Sequence, residues 1–242
     1  MYNAILFDLD GTLLPLDTKR FINEYIELLI NKAEEVMNRE FFYERFMNGT
    51  MKMVNNEVDT KTNQDAFMEE MLKGLDEKQK KKLLDLFDEF YQQEYHQLEK
   101  VVEDDSSLSR DIIDKLLSSG YKIVIATNPV FPLTAITARM KWANIHDFEY
   151  ELITSYEIMH YTKPFLKYYL EICEYIAEDP ENCLMVGNDC YDDLAAKKAG
   201  MEFFLINDYI EGEKKTHLDI KPDQEGSLKE FLSFIEKKLV IS

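Results

Sequence analysis

Two hydrophobic rhythms alternate along this chain. Short apolar, β-branched runs bounded by turn residues occupy residues 4–9, 121–127, 150–154, 183–187 and 202–207, and each predicts a buried strand. Helix-spaced patterns separate the later runs. One over 107–119 stops at Gly120, one over 163–177 stops before Asp179 and Pro180, and one over 192–199 stops at Gly200. Strands that alternate with helices predict a parallel sheet covered on both faces.

Between residues 17 and 100 this alternation lapses. The stretches TKRFINEYIELLINKAEEVM and EKQKKKLLDLFDEFYQQEYHQL place apolar residues at helical spacing, at Phe21, Tyr25, Leu28 and Leu29, then at Leu83, Leu84, Phe87, Phe90 and Tyr91. Core packing of a helical bundle accounts for these stripes. The pattern predicts an α/β protein whose sheet domain comprises residues 1–16 and 101–242, with an all-helical domain of residues 17–100 inserted into it. Near the end, Ser227 and Glu230 form a capping-box pattern ahead of a last amphipathic helix.

Composition narrows the function classes. With 242 residues, 45% hydrophobic and 31% charged, the sequence can bury a sizeable core. No apolar run is long enough for a membrane span, and the early run, cut by Asp8 and Asp10, does not read as a signal peptide. Cys173, Cys183 and Cys190 lack CxxC or zinc-ligand spacing, so a reducing, cytoplasmic setting is expected. The net charge of −19 repels polyanions and argues against nucleic acid as a partner, and no membrane partner is expected either.

Candidate chemistry sits at the strand ends. In ILFDLDGTLL the strand pleat would turn Leu6, Asp8 and Asp10 to the same side, at the carboxyl end where open α/β sheets bind ligands. Burying unpaired carboxylates is costly, so something must compensate them. The run CLMVGNDCYDD adds Asp189 and Asp193 after Gly187; these could simply be the acidic first turn of a helix. Acids converging from separate strands also make the oxygen-rich setting of a hard cation, and magnesium, which keeps waters and substrate phosphate oxygens, fits best. Thr127 and Asn128 end the strand KIVIATN with a hydroxyl, an amide and free N–H groups, suited either to a helix cap or to a phosphate. Lys163, fixed just ahead of Pro164, would by itself be an ordinary surface lysine.

In order, DLDGT at 8–12, ATN at 126–128, TKP at 162–164 and GND with a further Asp at 187–193 resemble the four motifs of the haloacid dehalogenase superfamily of hydrolases. The resemblance implies a Rossmann-like sheet in which the strands of the first, second and fourth motifs lie side by side, with residues 17–100 as a cap over the active site. It further implies Asp8 as nucleophile, Asp10 as general acid and base, Thr127 and Asn128 as phosphate contacts, and Lys163 as the neutralising cation. Magnesium would be held by Asp8, Asp189 and the main-chain carbonyl of Asp10, and Asp193 would orient waters or Lys163.

Within that family an acid two residues after the nucleophile marks phosphatases and phosphomutases rather than dehalogenases. The expectation is a magnesium-dependent phosphatase acting on a small phosphorylated metabolite through an aspartyl phosphate. A phosphomutase of the β-phosphoglucomutase type and a non-catalytic ligand-binding protein are the alternatives. Lys19, Arg20 and Arg45 are candidate cap contacts to the substrate. Asn188 and Cys190 depart from the family's usual residues without removing a carboxylate.

Overall fold

A computed structural model describes residues 2–103, 107–212 and 220–238. Six strands form one sheet in the order β3-β2-β1-β4-β5-β6: β1 (Ala4–Phe7), β2 (Lys122–Ile125), β3 (Leu152–Ile153), β4 (Cys183–Gly187), β5 (Glu202–Ile206) and β6 (Gln224–Gly226). All five pairings are parallel. The central strand β1 places Phe7 beside Ile125 on one flank and Val186 on the other, so the strands of the first, second and fourth motifs are immediate neighbours.

Alternation along these strands builds two apolar layers. Ile5, Phe7, Ile123, Ile125, Val186, Phe204 and Ile206 face one side. There they pack with α5 (Ser107–Ser118), α6 (Leu133–Trp142), α9 (Leu228–Lys238) and the helical insertion. Leu6, Val124, Met185, Phe203 and Leu205 face the other side, covered by α7 (Leu166–Ile176) and α8 (Ala196–Ala199). Phe231 of α9 meets Phe7 edge-on at 5.8 Å and Phe204 at 4.9 Å. Ser227 and Glu230 exchange the two hydrogen bonds of a capping box at the start of α9.

Between β1 and α5 the described chain contains only helices: α1 (Thr18–Ala33), α2 (Arg39–Val54), α3 (Asn63–Met71), α4 (Glu77–Glu89), a π-helical turn (Phe90–Glu94) and a 3-10 helix (Tyr95–Val101). Side chains of Asp17, Asn38, Thr62 and Asp76 cap the first four by accepting backbone N–H groups. The two connections to the sheet run side by side: Leu16 and Val102 form an antiparallel bridge, and Glu103 donates its N–H to Pro15 at 2.9 Å. An aromatic cluster of Phe21, Tyr25, Phe90 and Tyr95 joins the insertion to Phe131 and Trp142 of the sheet domain. Among the described residues, no helix is long and apolar enough to cross a membrane.

Several elements differ from the sequence pattern. The strand expected over 4–9 ends at Phe7, and the helix expected over 163–177 begins at Leu166, past Pro164. The helix expected over 192–199 is a 3-10 turn followed by a single short α-helical segment. Leu84 points outward at 39% exposure instead of joining the stripe of α4. Strand β6, QEG, has no apolar residue to announce it, and it pairs only along one edge.

Candidate active site

Four segments converge at the carboxyl end of the sheet. Past Phe7 the chain leaves the strand: Asp8 still donates its N–H to Val186, but Gly11 adopts a left-handed φ of +79° and Leu14 folds back to donate to Leu9 at 2.8 Å. A side chain at Gly11 would strike Asn188, whose amide lies 2.3 Å from where a Cβ would stand. Asn188 instead uses that contact zone for bonding, accepting from the Thr12 hydroxyl at 3.1 Å and donating to the Tyr209 carbonyl at 2.6 Å. The departure Asn188 makes from the family's usual residue thus has a local reason: its amide ties the first and fourth motifs together.

Lys163 is the electrostatic centre. It is 5% exposed, and its ammonium donates to Asp8 Oδ1 at 2.7 Å and to Asp193 Oδ1 at 2.6 Å. Burial alone would lower its pKa, yet the carboxylates of Asp193 and Asp8 outweigh desolvation and hold it well above the usual lysine value. Asp193 sits at the start of a 3-10 turn after β4 and also accepts the N–H of Asp189 at 3.0 Å. Gly187 makes this possible, because a Cβ there would lie 2.1 Å from Asp193 Oδ2. Asp189 accepts the N–H groups of Tyr191 and Asp192 at 2.6 and 2.8 Å.

Thr127 and Asn128 follow β2 on the same rim. The Thr127 carbonyl accepts from the hydroxyls of Thr154 and Tyr168 at 2.7 and 2.9 Å, fixing the turn. Asn128 turns its side-chain oxygen to the N–H of Lys163 at 3.2 Å, so that oxygen holds the lysine's backbone in place.

Asp8 and Asp10 do not share partners as the pleat alone predicts. Asp8 faces Lys163 and Asp193 on the α7 side, whereas Asp10 pairs with Arg139, which projects from α6 on the opposite face of the sheet. The alternation fails because β1 has already ended at Phe7. Burial raises the Asp10 carboxyl to about 6, against the lowering pull of Arg139. Arg139 itself was not legible as a site residue. The signal was there in the repeat Ala135, Ile136, Arg139, Met140, which puts an arginine on the buried stripe of α6.

These groups line a cavity of about 200 Å³. Asp8, Asp10, Asp189, Asp192, Asp193 and Glu211 surround it with negative charge, while Lys163 and Arg139 supply the positive charge. Thr127 and Asn128 form one wall and Ile22, Val130 and Phe131 an apolar one. Larger hollows of about 430 and 620 Å³ elsewhere, bordered respectively by Glu69 and Lys80 and by His160 and Glu171, contain none of the motif residues.

The cap cations Lys19, Arg20 and Arg45 do not line this cavity. Lys19 and Arg20 lie on an exposed face of α1, and Arg20 pairs with Glu24 and Glu103. Arg45 donates to the carbonyls of Met71 and Lys73 and closes the end of α3. Helix phase explains this: α1 turns Thr18 and Ile22, one turn apart, to the cavity, and Lys19 and Arg20 fall outside that stripe.

Among the described residues, no three His, Cys, Asp or Glu side chains are gathered closely enough to cage a metal unaided. Magnesium fits such a site, since it needs few protein carboxylates and completes its shell with water and phosphate oxygens. The excess of acids around the cavity is the chemistry that would accept it.

Residues 2–200 match the haloacid dehalogenase-like hydrolase family. The fold is similar to that of a HAD phosphatase from Thermococcus onnurineus, at 20% identity, covering 99% of this chain and 100% of that one with a TM-score of 0.58. It is similar to the putative HAD-hydrolase YfnB of Bacillus subtilis, described as bound to magnesium, at 18% identity, with 97% and 99% of the two chains covered and a TM-score of 0.55. A β-phosphoglucomutase from Clostridium difficile shares 19% identity over 98% of this chain and 97% of its own, with a TM-score of 0.53. No curated protein matches the chain. The match over residues 2–200 spans most of the sequence, and the chain belongs to the haloacid dehalogenase-like hydrolases.

Proposed function

We propose that this hydrolase is a magnesium-dependent phosphatase that acts on a small phosphorylated metabolite, with residues 17–100 serving as its cap. The observation that carries the reading is the pair of acids at the end of β1 in separate settings: Asp8 held by Lys163, and Asp10 buried with its pKa raised to about 6. One is an ionised nucleophile and the other can deliver a proton near neutral pH.

With Lys163 on Asp8 Oδ1, the other oxygen, whose neighbour is the Thr12 hydroxyl at 3.4 Å, is the one to attack. Attack forms the bond between Asp8 and phosphorus and breaks the bond to the leaving oxygen, which takes the proton of Asp10. Water then attacks the phosphorus of the aspartyl phosphate, gives its proton to Asp10 and frees Asp8. Asp8, Asp189 and the Asp10 carbonyl would hold magnesium, which would supply positive charge to offset the repulsion between a phosphate dianion and the attacking carboxylate. Thr127 and the turn that follows it face the phosphoryl oxygens.

The cavity also bears on the rest of the substrate. Its two lining cations are both paired with acids, and its remaining wall is apolar, which favours a small, uncharged leaving group over one with a second anion. Hydrolysis of an aryl phosphate in the presence of magnesium tests the reading. Turnover that disappears in Asp8→Asn is expected; no turnover, or turnover that survives Asp8→Asn, overturns it. Transfer of the phosphoryl group between sugar positions without phosphate release would replace it with a phosphomutase.

A further inference from the structure

The ion pair between Arg139 and Asp10 belongs to no motif. Arg139 is completely buried, and its Nη1 donates to Asp10 Oδ2. Its guanidinium lies over the Phe131 ring at 4.5 Å and near the Phe21 ring at 5.5 Å, so three segments hold it: α6, the turn after Thr127, and α1 of the insertion. Its Nε reaches back towards the Ala135 carbonyl at 3.4 Å. A planar, permanently charged fork clamped between rings is a rigid donor, unlike a lysine on a flexible stem.

The two oxygens of Asp10 are thereby made unequal. Oδ2 is engaged by Arg139, while Oδ1 is buried and has no hydrogen-bond partner. Arg139 Nη2 is likewise buried without a partner, so the guanidinium holds Asp10 through one nitrogen; Asp10 borders the cavity, where an unpaired carboxylate oxygen is a group that another molecule can satisfy.

We propose that Arg139 is the positioning residue of Asp10: by anchoring Oδ2 it presents Oδ1 as the oxygen that exchanges a proton with the leaving group. The proposal rests on the phosphatase reading. Arg139 itself touches no reacting atom and acts through Asp10. Its effect on the first half-reaction, which kcat/KM reports, is therefore confined to substrates whose leaving oxygen needs a proton, whereas hydrolysis of the aspartyl phosphate, where Asp10 is the base, slows for every substrate.

The test compares kcat/KM for an alkyl phosphate, such as glycerol phosphate, with that for p-nitrophenyl phosphate, whose phenolate departs without help. In Arg139→Met the alkyl substrate is expected to lose about 10²- to 10⁴-fold, the span that a general acid contributes, while the aryl substrate changes by less than about tenfold. Arg139→Lys keeps the cation without the fork and is expected to fall between Arg139→Met and the unaltered protein on the alkyl substrate; it serves also if the methionine variant does not fold. The double variant Asp10→Asn with Arg139→Met should be no slower than Asp10→Asn alone, because both changes remove one function. Equal losses on both substrates, or additive losses in the double variant, overturn the role of Arg139 and leave the phosphatase reading standing. Absence of turnover in the unaltered protein, or its survival in Asp8→Asn, overturns both.

Discussion

Replacing Lys163 with methionine tests the electrostatic account of the site most directly, since the ammonium is the only cation that touches Asp8 and Asp193 among the described contacts. Methionine roughly keeps the length and apolar stem of the side chain but leaves two buried carboxylates facing each other. Two charge-assisted hydrogen bonds disappear, at 2.7 and 2.6 Å. Each is worth about 1.5–3 kcal/mol, and removing one partner from a buried ion pair costs about 3–5 kcal/mol. A loss of about 3–5 kcal/mol at pH 7.5 is therefore expected, a large part of the roughly 5–15 kcal/mol that holds a typical domain folded.

The pH dependence gives the sharper signature. In the unaltered protein Lys163 has its pKa raised above the usual value, so its contribution is fully present below the unfolded lysine pKa and is lost only as pH rises through the folded one. Between pH 5 and 7.5 that contribution is constant. In Lys163→Met the Asp193 carboxyl, which burial already raises to about 8 against the lowering pull of Lys163, loses that pull and moves further above its unfolded value, so the folded state binds more protons and the variant regains stability as pH falls. Urea unfolding at pH 7.5 and pH 5.0 measures both quantities. The single tryptophan, Trp142 on α6, stacks on Tyr95 of the insertion at 5.6 Å and reports the transition by fluorescence. A deficit below about 1 kcal/mol at pH 7.5, or one unchanged at pH 5.0, would refute the reasoning that this is a net buried-charge effect.

Gly187→Ala is expected to lower kcat at least tenfold and to cost about 1.5–3 kcal/mol, because the new Cβ would lie 2.1 Å from Asp193 Oδ2 and push that carboxylate off Lys163 and the Asp189 N–H; steady-state kinetics with urea unfolding checks it, and unchanged values refute it. In the proposed mechanism the Asp10 carboxyl, raised to about 6 by burial, gives its proton to a departing alcohol, so kcat/KM for an alkyl phosphate should fall as pH rises through about 6. Arg139 lowers that pKa, so in Arg139→Met the fall should move to higher pH, and a move to lower pH in the pH–rate profile contradicts the assignment.

Strand-end chemistry was legible because it depends on short-range pattern. The run Cys183–Gly187 folds as the sequence pattern reads, and Asp189 and Asp193 follow it into the cavity because the chain must turn where β4 ends. Lys163 was legible only in company: nothing local distinguishes a lysine before a proline, and its burial arises from Asp8 and Asp193, which lie 155 and 30 residues away. Arg139 shows the opposite limit. Its meaning depends on how α6 packs across the rim of the sheet, and no reading of the segment around it contains Asp10, 129 residues distant. The cationic positions Lys19, Arg20 and Arg45 show that charge in an insertion says little without helix phase, which tertiary packing decides.

The place of Asp10 in the chain explains why an acid of this kind would need an anchor from a helix. Asp8 adjoins β1 and inherits the rigidity of a strand bonded on both flanks. Asp10 lies beyond that strand, beside a glycine at positive φ, in the loop that runs through Leu14 and Leu16 into α1. Loops at such junctions are the least constrained backbone of a fold. General acid catalysis nevertheless needs the proton within hydrogen-bond reach of the leaving oxygen. Backbone hydrogen bonds within residues 9–14 fix the path of the loop, but they do not fix the rotation of a carboxylate. Arg139 supplies that constraint from the sheet domain, and Phe21, at the first turn of the insertion, closes over the same guanidinium. The acid is thus tied to the sheet domain through its side chain although its backbone leads out of it.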